Sequence, residues 1–301
     1  MKKRIGPDGI HFFDRTTGNN ILIDECLFPK SEWSLAPRQV SIALTNICNL
    51  HCEFCYAPKN KASLEFESLK KWIKELDQLG TIGIGFGGGE PTLYPDFSKI
   101  CEYTANETDL AVTFTTHGHR LTDTLLSHLE GNVHFIRISI DGVGATYEKF
   151  RGRKFDKLIE RIERTRQITS LGFNVVINDS TILELDQVTE IAEKFDISEV
   201  LLLPQQATEN VKGLSKDAYE QLKKWIESYG GQTRLTISDV GLESNFICNP
   251  LSMENGLNAY AHIDALGFLK ASSYSNIGHQ IGEKSVLETL TSLKECIEGK
   301  A

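Results

Sequence analysis

Cys48, Cys52 and Cys55 lie in the run Thr45-Asn-Ile-Cys-Asn-Leu-His-Cys-Glu-Phe-Cys-Tyr56, a C-x3-C-x2-C spacing that gathers three thiols into one short stretch. A closed structural zinc site takes four protein ligands, and ferredoxin-type runs also supply four cysteines. Three suffice for a [4Fe–4S] cluster if one iron stays open to a non-protein ligand, which turns an electron-transfer site into a chemical one. The competing reading is a zinc knuckle with His51 or a distant cysteine as fourth ligand. A disulfide is the weakest reading. Met1-Lys-Lys-Arg4 is basic but no apolar stretch follows it, so no signal peptide is expected, and thiols of a reducing compartment serve metals or catalysis.

Three thiols need a rigid platform, and the flanking sequence predicts one. Short apolar, β-branched runs bounded by turn signals predict strands over residues 40–45, 82–86, 110–116, 135–140, 173–178 and 200–203. Helical periodicity fills the gaps. Leu69, Trp72, Ile73 and Leu76 repeat at i, i+3, i+4, i+7, with Gly80 where a C-cap belongs. Leu125, Leu126 and Leu129 follow a cap at Thr122 or Asp123, and Leu158, Ile159 and Ile162 mark a charged helix running to about Gly172. Leu185, Val188, Ile191, Ala192 and Phe195 make another. Ser215 caps a last one with Leu222, Trp225, Ile226 and Tyr229. Successive βα units imply parallel strands and right-handed crossovers. The expectation is an α/β fold, a partial (β/α)6 TIM-like barrel, with a doubly wound open sheet as the competing architecture. Residues 9–24 read as a hairpin around Thr17-Gly18-Asn19.

Ligands of parallel α/β folds bind at the carboxyl ends of the strands, and the unusual residues fall there. The cysteines follow the first strand and Gly87-Gly-Gly-Glu-Pro-Thr92 the second. Thr115-Thr-His-Gly118, Ser139-Ile-Asp-Gly142, Asn178-Asp-Ser180 and Pro204-Gln-Gln206 end the next four. Consecutive glycines let backbone approach a ligand without Cβ obstruction, and neither the dinucleotide-fold nor the P-loop spacing is present.

C-x3-C-x2-C, with Phe54 before the third cysteine and Tyr56 after it, resembles the signature of the radical S-adenosylmethionine (radical SAM) enzymes. The resemblance implies the partial barrel and one [4Fe–4S] cluster on Cys48, Cys52 and Cys55, with S-adenosylmethionine chelating the open iron. It also implies reductive cleavage to a 5′-deoxyadenosyl radical that abstracts hydrogen from a substrate. Gly88, Gly89 and Glu90 resemble the family's second motif, which meets the amino group of S-adenosylmethionine. Ser139 and Asp141 resemble a segment contacting the ribose or carboxylate, with a helix cap as the alternative for Asp141. Arg151 resembles a position that pairs with the methionyl carboxylate, a match a guanidinium suits; a solvated helix-flank arginine is the alternative. Phe54 and Tyr56 are expected near the adenine, Tyr56 through its backbone. His117, rather than His119, is expected on the substrate side, with Asn178 and Gln205.

From Glu243 onward the βα rhythm stops. Residues 261–270, Asn276-Ile-Gly278 and a helix from about Ser285 resemble the C-terminal extension of peptide- and protein-modifying radical SAM enzymes, whose extra cysteines hold auxiliary clusters. Cys248 stands about where the first such cysteine would, but Ala271-Ser272-Ser273 stands where another is expected. The extension is therefore expected to lack auxiliary metal and to serve as lid and substrate wall, tilting the chemistry towards redox-neutral steps. Expected segments are an N-terminal hairpin (1–35), the barrel (36–240) and the extension (241–301). Cys101 reads as a small buried hydrophobe; Cys26 and Cys296 have no partner at ligand spacing. A net charge of −9 argues against a broad nucleic-acid surface, and no run approaches the roughly 18 apolar residues of a membrane span, so the expected location is cytoplasmic. Expected partners are a peptide or protein side chain, or else a small biosynthetic molecule such as a sugar, nucleotide or cyclitol, and an external low-potential electron donor such as a flavodoxin or ferredoxin. No separate leader-peptide domain is visible. The rival from another class is a non-enzymatic zinc or iron–sulfur protein.

Overall fold

The computed structural model describes residues 1–208, 211–238 and 251–299; Cys248 lies outside them. The chain opens with a three-stranded antiparallel sheet, β1 (Lys2–Gly6), β2 (Gly9–Phe13) and β3 (Asn20–Ile23). The expected hairpin is its β2–β3 half, with Gly18 in the turn at φ +73°. The basic run Lys2-Lys3-Arg4 concealed β1, because Arg4 is buried through partners distant in sequence, its ion pair with Glu254, two hundred and fifty residues on, and the carbonyls of Gly80 and Asn258.

The alternation then runs β4 (Gln39–Thr45), α1 (Phe66–Gln78), β5 (Gly83–Gly88), α2 (Phe97–Glu107), β6 (Ala111–Thr116), α3 (Asp123–Leu129), β7 (Phe135–Ser139), α4 (Gly144–Arg151), α5 (Phe155–Thr165), β8 (Ser170–Ile177), α6 (Leu185–Lys194), β9 (Glu199–Pro204), α7 (Lys216–Ser228) and β10 (Arg234–Ile237). After it come α8 (Gly256–Ala259), β11 (Tyr260–Ile263), β12 (Phe268–Lys270), β13 (Gly278–Gln280) and α9 (Val286–Glu298). Strands β4 to β10 lie side by side in sequence order, all parallel. A doubly wound sheet reverses its order at a switch point; this one never does. Beyond β4, β11 adds in parallel and β12 and β13 follow antiparallel. The sheet curves as a partial barrel with its two ends unjoined among the described residues.

Alternate residues of each strand face the helices. Val40, Ile42 and Leu44 of β4, Ile84 and Phe86 of β5, and Val112 and Phe114 of β6 are all but fully buried there, against Leu69, Ile73 and Ile100. Each such side chain contributes roughly 1.5–3 kcal/mol. The predicted caps hold. Gly80 takes φ +93° after α1, with Thr81 N–H returning to Leu76 O (3.0 Å). Thr122 caps α3, Ser215 caps α7, and Ser285 with Glu288 forms a capping box on α9.

Three departures have local reasons. The charged helix α5 stops at Thr165, and Gly172 lies inside β8 instead, where a Cβ would sit 2.7 Å from the Phe135 ring. Helix α4 buries only Tyr147 and so carries no periodic signal. Strand β10 is half-exposed along its length and shows no alternation.

His119, His134 and His262 are each pushed down to about pKa 4, chiefly by burial, and stay neutral in the fold. Unfolded histidine titrates near 6.5. Between those values the unfolded chain binds more protons, so stability falls as pH drops from about 6.5 towards 4. The urea midpoint is expected to be lower at about pH 5 than at pH 7, and His134→Gln, which removes one of the three groups, is expected to narrow that difference.

Candidate active site

The cysteine loop leaves the carboxyl end of β4, and its stem is clipped before the cysteines begin. The buried Thr45 hydroxyl donates to Ala62 O (3.0 Å) and accepts from Ile47 N–H (3.1 Å) and the Ser63 hydroxyl (2.7 Å). Asn46 N–H donates to Ala62 O (2.9 Å). Within the loop, two sulfurs receive N–H bonds: Leu50 N–H meets Cys48 Sγ at 3.4 Å, and Arg151 Nη1 meets Cys52 Sγ at 3.6 Å. Burial pushes the Cys48 and Cys52 thiols up, and the charges of the neighbouring cysteines add to the rise. Metal binding must therefore displace protons here.

The end of β5 is sewn to this loop. Gly89 N–H donates to Thr45 O (2.7 Å) and Glu90 N–H to Ile47 O (2.9 Å). The approach is too close for side chains: a Cβ on Gly88 would sit 2.1 Å from Thr45 O, and one on Gly89 2.4 Å from Ile47 O. Gly88 also has φ +127°, which L side chains avoid. By contrast nothing lies within 4 Å of a Cβ built on Gly87.

Glu90 is 1% exposed and organised from within the wall. Its Oε1 accepts from Thr92 N–H (3.2 Å) and from the hydroxyls of Thr92 and Thr116 (both 2.7 Å). Oε2 accepts from His117 N–H (3.0 Å) and lies 3.4 Å from His117 Nε2. Oε2, with fewer partners, is the oxygen left to meet a cation.

His117 is buried, and burial lowers its pKa against the pull of Glu90. Its Nδ1 accepts from His119 N–H (3.1 Å), which leaves the proton on Nε2, beside Asn49 Oδ1 at 2.9 Å. His119 Nε2 continues the chain to the Tyr147 hydroxyl (2.8 Å). Both imidazoles thus belong to one network at the mouth of β6.

Arg151 is neither a solvated flank residue nor unpaired. Its Nε and Nη2 engage Asp141, and its guanidinium lies 5.5 Å from the Phe54 ring centroid. Asp141, fully buried, caps no helix; its other oxygen accepts Val176 N–H (2.7 Å) from β8. The charge of Asp141 holds Arg151 protonated despite burial, raising its pKa. Phe54 also packs on Phe150 (5.7 Å), so its ring is committed to the end of α4. Ser139 closes β7, paired in register with Asn174. Farther round the rim, Asn178 Nδ2 donates to Gln205 Oε1 (3.1 Å) and Gln205 Nε2 to Lys212 O (2.7 Å). These two substrate-side candidates meet each other, away from the bonds that join His117 to the cysteine loop.

Tyr56 points its ring to the C-terminal segment, stacking on Tyr274 at 4.7 Å and bonding Ser273. The stretch lacking the expected cysteine thus touches the loop that holds three. Asn49 and Tyr274 went unnoticed in the sequence, and nothing there pairs Thr116 with Glu90 or Ser273 with Tyr56. Their roles arise from partners 26, 68 and more than 200 residues away.

Does this donor set suit an iron–sulfur cluster? Three thiols share one anchored loop, with a cavity of about 530 Å³ beside them lined by His51, Cys52, Glu53 and Lys59. Among the described residues no three His, Cys, Asp or Glu side chains, the three cysteines included, are grouped on a single ion. Three cysteines on one short loop are the donor type that an iron–sulfur cluster takes.

Residues 42–203 match the model of the Radical SAM superfamily. The chain belongs to that superfamily and is an enzyme of it, and the superfamily's cofactors are a [4Fe–4S] cluster and S-adenosylmethionine. Among curated relatives, the mycofactocin maturase MftC of Mycobacterium tuberculosis is 29% identical over 171 residues, 53% of this chain and 43% of that protein. The sporulation killing factor maturation protein SkfB of Bacillus subtilis is 31% identical over 228 residues, 68% of this chain and 53% of that protein. The chain spans about half the length of these relatives. In fold it is similar to Streptococcus suis SuiB bound to S-adenosylmethionine, with TM-score 0.78 and 12% identity over 98% of this chain and 88% of that one. SuiB bound to its precursor peptide SuiA gives TM-score 0.75 at the same identity, over 96% of this chain and 86% of that one. No helix among the described residues is long and apolar enough to cross a membrane.

Gly88→Ala is expected to push the β5 end off Thr45 and to destabilise the fold by more than the roughly 0.4–1 kcal/mol by which Gly→Ala stabilises at unstrained sites. The same change at Gly87, where the space is open, is expected to leave the unfolding midpoint nearly unchanged. Thermal melts of the two variants check this contrast.

Proposed function

We propose that this chain modifies a peptide or protein side chain, with Cys48, Cys52 and Cys55 holding a single cluster. When bound, cluster and S-adenosylmethionine together supply a 5′-deoxyadenosyl radical that removes hydrogen from an unreactive C–H bond. The chain's own residues anchor, orient and exclude water. Thr45 and the Gly89–Glu90 backbone fix the cysteine loop. Glu90, buried among Thr92, Thr116 and His117, presents negative charge to the cofactor's amino group. Ser139 stands at the rim for the ribose or carboxylate, and Tyr56 covers the loop from the side of Tyr274.

The observation that carries the reading is a loop of three thiols at the end of a parallel strand, joined by backbone hydrogen bonds to a glycine-rich turn. A peptide substrate is favoured by two relatives, a maturase and a maturation protein, and by the precursor peptide in the SuiB complex. The segment from β11 to α9, built directly onto β4, serves in this reading as a wall of the substrate space. The electron comes from an external low-potential donor of the flavodoxin or ferredoxin kind.

Anaerobic reconstitution followed by dithionite and S-adenosylmethionine tests the chemistry. Wild type is expected to release 5′-deoxyadenosine, detected by mass spectrometry, and Cys52→Ala to lose both cluster iron and product entirely. Full iron loading in Cys52→Ala would sink the ligand assignment. Incubation with short peptides encoded beside the gene, read as a peptide mass change, tests the substrate class; turnover of none of them counts against it.

A further inference from the structure

The guanidinium of Arg151 is held by Asp141 and Phe54, and the end of its helix fixes where the side chain starts. Asp141 takes Nε and Nη2, and is itself fixed by Val176 N–H from β8. Phe54, between Cys52 and Cys55 in the loop, covers one face. Gly152, in the left-handed conformation at φ +62°, ends α4 immediately after the arginine and fixes where its side chain starts. Only Nη1 remains, and it is directed at Cys52 Sγ, 3.6 Å away. The side chains of Arg151 and Asp141 are 12% and 0% exposed, so water does little to screen either charge.

We propose that Arg151 is a tuning residue of the cluster: its Nη1–H bond to Cys52 sulfur raises the reduction potential, and Asp141 sets how much of the positive charge reaches the sulfur. This rests on the assignment of Cys52 as a ligand. Hydrogen bonds and net charge at the cysteine sulfurs are among the main determinants of iron–sulfur potentials. One-electron reduction adds negative charge to cluster and thiolates, and a fixed cation donating to one sulfur stabilises that added charge. The electron is supplied by the external low-potential donor, and no bond of the chain breaks. Arg151 therefore acts through Cys52, in addition to any contact with a carboxylate.

The two partners should pull in opposite directions, which a merely structural ion pair would not do. Wild type, Arg151→Gln, Arg151→Lys and Asp141→Asn are reconstituted anaerobically without S-adenosylmethionine and titrated potentiometrically, with the reduced cluster followed by electron paramagnetic resonance. Arg151→Gln is expected to shift the midpoint to more negative potential, Arg151→Lys to shift it less, and Asp141→Asn to shift it positive. Wild-type midpoints in both arginine variants overturn the proposal. So does a shift of the same sign in the Gln and Asn variants. Loss of cluster iron from both arginine variants also overturns it, because Arg151 would then hold the loop rather than tune it. Iron retained by Cys52→Ala would instead mark failure of the ligand assignment, which separates the two failures.

Discussion

Everything at this site depends on how closely two backbone segments approach. The loop bearing the cysteines has no regular structure of its own, and its position comes from hydrogen bonds to the end of β5, Gly89 N–H to Thr45 O and Glu90 N–H to Ile47 O. That approach is possible only because Gly88 and Gly89 carry no side chain. The glycine-rich turn thus has a structural reason as strong as any ligand. It brings Glu90 under the loop, where Thr116 and His117 of the next strand secure it. One contact between neighbouring strand ends thereby joins three βα units into one site.

The second organising feature is the set of charges buried without solvent. Asp141 with Arg151 and Arg4 with Glu254 are ion pairs whose members would be strongly unfavourable alone. The first, between residues ten apart, joins the end of β7 to the end of α4 beside the cysteine loop; the second, between residues 250 apart, ties the N-terminal sheet to the segment before α8. Such pairs fix relative position more than they add stability. Near a redox centre, position is what matters.

The sequence made the framework legible wherever a segment had to bury one face. The six strands from β4 to β9 were each visible, within a few residues, because apolar and β-branched side chains on their helix-facing side must pack. Elements without that requirement were missed: β1 behind its lysines, α4 with one buried ring, β10 half in solvent. Gly172 misled because a glycine before a strand resembles a helix stop, whereas it lies in the strand to make room for Phe135. At the site, the residue types were readable but their partners were not. Arg151 read as a partner for a carboxylate, and only the fold reveals that it also pairs with Asp141 and meets Cys52. Nothing local in Ser273-Tyr274 signals that they pack on Tyr56.

The parallel docking of β11 against β4 has a consequence for how the molecule is made. Ser41 waits for His262, 221 residues later, before its edge of the sheet is closed. At ribosomal rates of roughly 5–20 residues per second, that delay is on the order of 10–40 s. During it, the flank of the cysteine loop where Tyr56 later meets Tyr274 stays uncovered, since Ser273 and Tyr274 have yet to be synthesised. The chain's own order of synthesis therefore makes this contact long after the loop's bonds to Gly89 and Glu90 can form.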